Sequence, residues 1–100
     1  MTSEGSDSRL EKEPQKPNNN DLFWVIVFNN EFNTFEEVIT IIQKAISCSL
    51  ELAEHIAWEI HDKGKAKVMI APYHTAEEAA EVISSIGIKV SVKKAAAANS

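Results

Sequence analysis

The sequence predicts an α+β fold in which three helices cover one face of a three-stranded sheet, in the order β-α-α-β-α-β. Three observations indicate this two-layer sandwich. A continuous apolar segment is typical of a buried strand, three segments have apolar residues at helical spacing, and two later segments alternate between apolar and polar residues. One hundred residues suffice for one small domain with its own core, but not for two.

The first half of the domain contains the apolar strand and two helices. The strand, Leu22–Phe28, is rich in Val, Ile and aromatic residues, as expected for a strand covered on both faces. Thr34 with Glu37 three residues later forms a capping box that predicts the start of the first helix. Ser49 is a suitable N-cap for the second helix, and Gly64 is placed for its C-terminal cap.

The second half contains two strands on either side of a third helix. Residues 66–70 alternate with the period of a half-buried strand, and residues 88–93 repeat that pattern. Between them, Thr75 and Glu78 form a second capping box and Gly87 follows the apolar stripe of the helix. These signals complete the predicted order of elements.

The two ends of the chain differ in composition from this domain. Residues 1–21 contain Leu10 as the sole apolar residue beyond Met1, and such a segment buries too little apolar area to offset the loss of chain entropy. We therefore expect a disordered N-terminal tail at 1–21, a folded domain at 22–94 and a short C-terminal tail at 95–100.

Charge and composition exclude several classes of protein. The net charge of −5 disfavours binding to nucleic acid or to an anionic membrane surface, since both require a basic protein. No apolar segment is long enough to cross a bilayer, and the N-terminus lacks the features of a signal peptide. The single cysteine, Cys48, cannot form an intramolecular disulfide. We expect a monomeric cytoplasmic protein.

Few residues indicate chemistry or a bound metal. No serine or cysteine lies in a recognisable nucleophile motif, and no glycine-rich loop is present, so we expect no catalytic residue and no cofactor. Glu51, His55 and Glu59 share one face of the second helix and could approach a metal ion, although outward charges of this kind are usually only solvated. A small metal-dependent enzyme that uses His55 or His61 therefore remains a minor alternative.

Lysines are concentrated on or beside the last two predicted strands. If these strands pair, their polar face is basic, which fits either a solvated sheet with protected edges or a docking surface for an acidic partner. Nucleic acid is the weaker interpretation, because no arginine or exposed aromatic residue is expected among these lysines. The lysines concerned are Lys63, Lys65, Lys67, Lys89, Lys93 and Lys94.

The segment between the first strand and the first helix is rich in hydrogen-bonding side chains. Asn29, Asn30, Glu31 and Asn33 are expected at the end of a buried strand, where amide and carboxylate oxygens could hold an ammonium group. The same residues are also good turn formers, so both interpretations remain open from chemistry alone. His61, at the margin of the apolar stripe of the second helix, could add a hydrogen bond there.

Three short motifs in this part of the chain have a specific order and spacing. They are Val-Ile-Val-Phe-Asn-Asn-Glu-Phe-Asn-Thr-Phe-Glu-Glu-Val at 25–38, Gln43 with Lys44, and His61 followed by Gly64, Lys65 and Ala66. Together they resemble ClpS, the adaptor that delivers N-degron substrates to the Clp protease, without a gap over about residues 24–66. The amino-acid sequence of the loop is most similar to the shorter cyanobacterial and chloroplast-lineage variant of this family.

The resemblance implies a binding site for the first residue of a substrate protein. By matching position, Asn29 and His61 would hold its α-amino group, together with Asn30, Glu31 and Asn33. The wall of the pocket for its side chain would consist of Phe35, Val38, Ala57 and Ile60. Glu77, in the third predicted helix, matches a region that docks on the chaperone.

The chain departs from the family pattern at several of these positions. Asn30 stands where the family usually has Asp, which removes one carboxylate from the loop. Phe35 and Ala57 each stand in place of Met, so the shape of the pocket is altered. Val82 stands where a Lys is expected in the third helix, which affects the docking surface.

The resemblance therefore predicts a non-enzymatic adaptor. It would bind bulky hydrophobic N-terminal residues of substrate proteins and deliver these proteins to an AAA+ ATPase of a Clp protease. An alternative is an interaction module that docks on the chaperone and regulates it without binding N-degrons.

Overall fold

The computed structural model describes residues 10–12 and 21–95. The elements of this part of the chain are β1 (Leu10–Lys12), β2 (Leu22–Phe28), α1 (Phe35–Ile46), α2 (Leu50–Lys63), β3 (Lys65–Pro72), α3 (Tyr73–Ser84) and β4 (Val90–Lys94). In the sheet, β2 pairs antiparallel with both β3 and β4. The predicted α+β class, with a three-stranded antiparallel sheet and three helices, is confirmed.

The hydrophobic core lies between the sheet and the helices. Phe23, Val25 and Val27 alternate along β2 toward the helices, and none of them is exposed. These strand residues form one buried cluster with apolar residues of all three helices. The helical members are Val38, Ile41, Ile42, Ala53, Ile56, Ala57, Ile60, Ala76, Ala80 and Ile83.

The ends of α1 and α2 agree with the capping signals. The Thr34 hydroxyl accepts a hydrogen bond from the backbone N–H of Glu37, and the Glu37 carboxylate accepts one from the backbone N–H of Thr34. The Ser49 hydroxyl likewise accepts the backbone N–H of Leu52 at 3.1 Å. Gly64 ends α2 with φ of 87°, in the left-handed region that glycine adopts at little cost.

The start of α3 differs from the prediction. The helix begins at Tyr73, after Pro72 as N-cap, and no side chain caps it. The Tyr73 ring packs edge-on against Phe23, with 5.0 Å between the ring centroids, and this contact joins the first turn of the helix to the core. Thr75 therefore lies inside the helix, and the capping box predicted for Thr75 and Glu78 is wrong.

A fourth strand extends the predicted sheet. Residues 10–12 form β1, which pairs parallel with β4, with Leu10 opposite Val90 and Lys12 opposite Val92. Leu10 is partly buried against the hydrophobic core. The expectation of disorder is therefore wrong for residues 10–12, because composition averaged over a tail conceals one apolar residue beside a sheet edge. Of the rest of the two predicted tails, Asp21 and Ala95 are described, and both contact neighbouring residues of the domain: Asp21 pairs with Lys94, and the Ala95 N–H donates to the carbonyl oxygen of Leu22. Residues 1–9, 13–20 and 96–100 lie outside the described residues.

The sheet face away from the helices also differs from the expectation. Trp24 and Phe28 lie on this face, so two aromatic residues are interleaved with the lysines of β3 and β4. Ser91, expected on a solvated polar face, is only 1% exposed. Its short side chain lies on an inner strand of the sheet, opposite Ile26. The strict alternation predicted for β4 therefore does not separate buried from exposed residues.

Candidate functional site

A cavity of about 550 Å³ opens between the loop that follows β2, the start of α1 and the last two turns of α2. All nine residues that the sequence predicts for substrate binding line this one cavity. They are Asn29, Asn30, Glu31, Asn33, Phe35, Val38, Ala57, Ile60 and His61, and a tenth lining residue is Trp58. Residues from three separate segments therefore converge as the prediction requires.

The inner wall of the cavity is apolar and belongs to the core. Val38 on α1 is 8% exposed, whereas Ala57 and Ile60 on α2 are each 2% exposed. Because they are packed on their other sides by the core cluster, these side chains have little freedom to move aside. The depth and shape of the cavity are consequently set by the packing of α1 against α2.

The loop above this wall is organised by the side chain of Asn30. Its Oδ1 accepts the backbone N–H groups of Phe32 at 3.2 Å and of Asn33 at 3.0 Å. Its Nδ2 donates to Oδ1 of Asn33 at 2.8 Å. An Asp at this position could still accept the two N–H groups, but it could not donate to Asn33. Asn30 thus acts here as a loop-forming residue.

Asn33 connects the loop to two helices. Its Nδ2 donates to the carbonyl oxygen of Ile86, which follows α3, at 2.9 Å, and to Oε1 of Glu37 on α1 at 3.1 Å. The hydrogen bonds from the Asn33 amide and from the Thr34 backbone N–H favour the ionised carboxylate and lower the pKa of Glu37 below its ordinary value. The loop and the capping box therefore form one continuous hydrogen-bonded network.

Three polar side chains of the cavity stay outside this network. The Asn29 amide, the Glu31 carboxylate and the His61 imidazole are exposed, and none of them makes a hydrogen bond to another described residue. The backbone of Asn29 is nevertheless held, because its N–H donates to the carbonyl oxygen of Gly64 at 2.8 Å. The five predicted polar residues thus divide into two that build the loop and three whose polar groups are available to a ligand.

Trp58 is the lining residue that sequence reasoning missed. Its ring lies 4.7 Å from the Phe35 ring, between centroids, and 5.8 Å from the His61 ring. Trp58 is 56% exposed and lies beside the apolar stripe of α2, so helical periodicity assigns it to the solvent face. The available signal was its position three residues before His61, since residues at that spacing are neighbours on a helix.

This arrangement suits a ligand with an apolar end and a cationic end. An apolar group can enter between Phe35, Val38 and Ile60, where it leaves water. At the rim, a carboxylate and an amide oxygen can accept hydrogen bonds from an ammonium group, and charged hydrogen bonds of this kind are the strong ones. The cavity therefore combines an apolar interior with a rim of exposed hydrogen-bonding groups.

The sequence comparison identifies the family. The sequence model described as "ATP-dependent Clp protease adaptor protein ClpS" matches residues 18–91 of the chain. The chain therefore belongs to the ClpS family, and the predicted class of adaptor is confirmed. The finer assignment to the cyanobacterial and chloroplast-lineage variant stays a prediction.

Curated relatives include large ubiquitin ligases. Mouse E3 ubiquitin-protein ligase UBR1 is 31% identical over 91 residues, which cover 91% of this chain and 5% of the ligase. Human E3 ubiquitin-protein ligase UBR2 is 29% identical over 77 residues, which cover 77% of this chain and 4% of the ligase. The chain thus matches a small part of each of these ligases.

A solved structure has the same fold. Agrobacterium tumefaciens ClpS2, in a structure with bound L-phenylalaninamide, superposes with a TM-score of 0.71 at 17% sequence identity. The match covers 75% of this chain and 98% of the bacterial chain. At this level of identity the similarity establishes the architecture.

The other predicted functional features lie away from the cavity or lack structural support. Glu77 lies on α3, outside the cavity lining, and its role in docking stays a prediction. Within residues 10–12 and 21–95, no group of three His, Cys, Asp or Glu side chains is placed to hold a metal ion, so Glu51, His55 and Glu59 form no such site. In the same part of the chain, no helix has the length and apolar character to cross a membrane.

Proposed function

We propose that this chain is a non-enzymatic adaptor that binds the first residue of substrate proteins with a bulky hydrophobic N-terminus and delivers them to a Clp ATPase-protease. The observation that supports this most directly is the convergence of three available polar groups and an apolar wall on one cavity. A free N-terminus combines the two chemistries that this cavity can satisfy, an ammonium group and an adjacent side chain.

The side chain of the first residue would enter the apolar part of the cavity, against Phe35, Val38, Ala57 and Ile60. Its α-ammonium group would then lie at the rim, where Asn29 and Glu31 offer oxygen atoms and His61 offers a ring nitrogen. Asn30 and Asn33 would contribute by holding the loop in this geometry. L-Phenylalaninamide, the ligand of the Agrobacterium protein, has the same combination of a free amino group and an apolar side chain.

The adaptor needs no catalytic group of its own, because unfolding and cleavage belong to its partner. We propose an AAA+ ATPase of the Clp type as that partner, with Glu77 in the docking surface, and a monomeric adaptor in the cytoplasm. The ClpS match supports the choice of partner. The sequence of residues 28–35 supports a place near the shorter cyanobacterial and chloroplast-lineage variant.

The direct test is fluorescence polarisation with labelled peptides that differ only in their first residue. Peptides that begin with Leu or Phe should bind, and those that begin with Asp, Lys or Gly should not. Acetylation of the α-amino group should abolish binding, because a charged donor becomes a neutral amide with fewer hydrogens to donate. Equal binding of the free and acetylated peptides would contradict the proposed pocket.

Two substitutions at the rim test the same site in the protein. His61→Ala and Asn29→Ala should each weaken peptide binding by about 1–3 kcal/mol, the usual effect of leaving a charged hydrogen-bonding group without its partner. His55→Ala is the matched control, since His55 is exposed on the same helix and does not line the cavity. All three variants should unfold at the wild-type midpoint. A loss of affinity in His55→Ala equal to that in His61→Ala would refute the assignment.

A further inference from the structure

The face of the sheet opposite the helices has an apolar ridge along β2. Trp24, Ile26 and Phe28 alternate with the buried residues of this strand, and each is half-buried. β2 lies between β4 and β3 in the sheet, so the ridge runs along a strand that is flanked on both sides. Leu22 and Ile70, which are 45% and 42% exposed, enlarge the apolar area at one end.

Two rows of exposed lysines border this ridge. Lys65 and Lys67 on β3 lie opposite Phe28 and Ile26, while Lys93 on β4 lies opposite Trp24. The ammonium group of Lys67 lies 4.7 Å from the centre of the nearest Trp24 ring. The ammonium groups of Lys65 and Lys89 lie 5.8 and 5.1 Å from the centre of the Phe28 ring. Lysines of β3, together with Lys89 just before β4, thus extend over the ridge.

This face is basic although the whole chain is acidic. The net charge is −5, yet β2, β3 and β4 contain no Asp or Glu, and the edge strand β1 contains one acidic and one basic residue, Glu11 and Lys12. The acidic residues of α2 and α3 lie on the opposite side of the domain. Such a separation of charge favours association with an acidic surface in one orientation.

The width and length of this surface favour an α-helix as the acidic partner. The two lysine rows are on strands two positions apart in the sheet, so they are separated by about 10 Å. An α-helix with its side chains is about 10–12 Å wide, and it can place carboxylates on both sides of an apolar stripe. From Trp24 to Phe28 the ridge is about 13 Å long, the length of about nine helical residues.

We propose that this face, defined by Trp24, Ile26, Phe28 and the lysines that border them, binds an acidic amphipathic helix of a partner protein. The apolar stripe of that helix would lie on the ridge, and Asp or Glu residues on its two sides would pair with the lysine rows. The surface is separate from the cavity, which lies on the helical side of the sheet. A substrate N-terminus and this partner can therefore be bound at the same time.

A single-stranded nucleic acid fits the same surface less well. A single strand has one phosphate backbone and would use one row of lysines, whereas this face has two. The net charge of −5 further disfavours a polyanion.

The probe is a peptide of about 18 residues, long enough to form a helix in isolation, with Leu at helical spacing and Glu on both sides. Its N-terminus is acetylated so that it cannot use the cavity. Binding is followed by Trp24 fluorescence in a Trp58→Phe background, which leaves one tryptophan in the chain. The probe should bind with saturation, whereas a peptide with Gln in place of every Glu should bind at least about tenfold more weakly, since charge complementarity is lost.

Two double variants of equal charge locate the binding surface. Lys67→Glu with Lys93→Glu reverses one lysine in each row and should weaken binding at least about tenfold. Lys44→Glu with Lys63→Glu makes the same change in net charge on α1 and α2 and should have less than a twofold effect, since Lys63 ends α2 beside Glu59 and does not lie on the sheet face that the sequence suggested. His61→Ala should bind the probe as the wild type does, which separates this proposal from the proposed function.

Three results would overturn the proposal. The first is no saturable binding of the Glu peptide, and the second is an equal loss of affinity in both double variants. The third is tighter binding of an oligothymidylate of about 12 nucleotides than of the Glu peptide, which would identify a surface for single-stranded nucleic acid.

Discussion

Phe35 and Trp58 form one side of the cavity, and both are large aromatic residues. Their ring centroids are 4.7 Å apart with the planes inclined at 58°, a geometry in which two aromatic rings attract each other. Phe35 is only partly buried, and its ring packs against both the core and Trp58. The position of this ring should decide which side chains can enter.

The first prediction concerns the substitution Phe35→Ala. We expect the wild type to exclude β-branched first residues, and removing the Phe35 ring enlarges the cavity, so Val and Ile should become tolerated. Leu should lose only modest affinity, because Val38, Ala57 and Ile60 still form the rest of the apolar wall. The measurement is a panel of peptides that begin with Leu, Phe, Tyr, Trp, Ile or Val. In the wild type we expect Leu and Phe to bind more tightly than Trp.

Phe32→Ala is the matched control for this panel. Phe32 is three residues before Phe35 but is 88% exposed and does not line the cavity. The ranking of first residues should be the same in Phe32→Ala as in the wild type. If Phe35→Ala also leaves the ranking unchanged, Phe35 is only a packing residue of α1.

The second prediction concerns Trp58, whose ring packs against that of Phe35. Trp58→Leu should raise the affinity for Val and Ile as first residues, as Phe35→Ala does, but by a smaller factor. The Phe35 ring remains in this variant, and only its contact with Trp58 is lost. In the double variant the effect of Trp58→Leu should largely disappear, since residues in contact are not additive. Fully additive changes would show that Trp58 acts independently of Phe35.

At the scale of the element, the capping box at the start of α1 belongs to both the helix and the site. Thr34→Ala removes one of its two hydrogen bonds and should lower the free energy of unfolding by about 1 kcal/mol. Because Glu37 also bonds Asn33, the loop should be loosened and peptide affinity should fall. Ser49→Ala should cost similar stability at α2 without loss of affinity, since Ser49 does not line the cavity. Urea unfolding and the polarisation assay measure the two effects.

The lowered pKa of Glu37 predicts that the stability of the protein depends on pH. Its pKa is lowered in the folded protein, so ionisation stabilises the fold above the unfolded pKa, and this stabilisation is lost as the pH falls through the folded pKa. Glu37→Gln can still accept hydrogen bonds but does not titrate. The wild type should therefore have a higher free energy of unfolding than Glu37→Gln at neutral pH. This difference should become smaller at about pH 3, where the carboxylate becomes protonated. A constant difference across that range would contradict this linkage.

At the scale of the whole molecule, β1 attaches a remote part of the chain to the sheet edge. Leu10 is partly buried against the core, and burial of part of a leucine is worth about 1 kcal/mol. Leu10→Ser should therefore lower the thermal midpoint by about 4–8 °C, the shift expected of such a change in a small domain. Leu50→Ser, at a leucine that is 53% exposed, should have a much smaller effect.

Truncation completes this test by calorimetry. Deletion of residues 1–9 should leave the midpoint unchanged, because their composition cannot support a core. Deletion of residues 1–12 should lower it by at least as much as Leu10→Ser does, since the backbone pairing with Val90 and Val92 is also lost. Equal midpoints for the two truncations would show that β1 contributes no stability.

The sequence by itself determined those features whose signals are local. A continuous apolar segment defined β2, the period of apolar residues defined β3 and the helices, and the hydroxyls of Thr34 and Ser49 defined where α1 and α2 begin. The residues of the cavity were predictable because a family motif combined with this periodicity places them at the ends of consecutive elements. Propensity and capping act within a few residues, so they can be recognised without knowledge of the fold.

The tertiary structure alone decided which distant side chains meet. Trp58 becomes a wall of the cavity because α1 brings Phe35 beside it, and the first turn of α3 is joined to the core where the Tyr73 ring packs on Phe23. Trp24 lies beneath Lys67 because of the register between β2 and β3, which includes an irregularity after Val25. These contacts join residues far apart in the chain, and their energies depend on packing and register that no local pattern specifies.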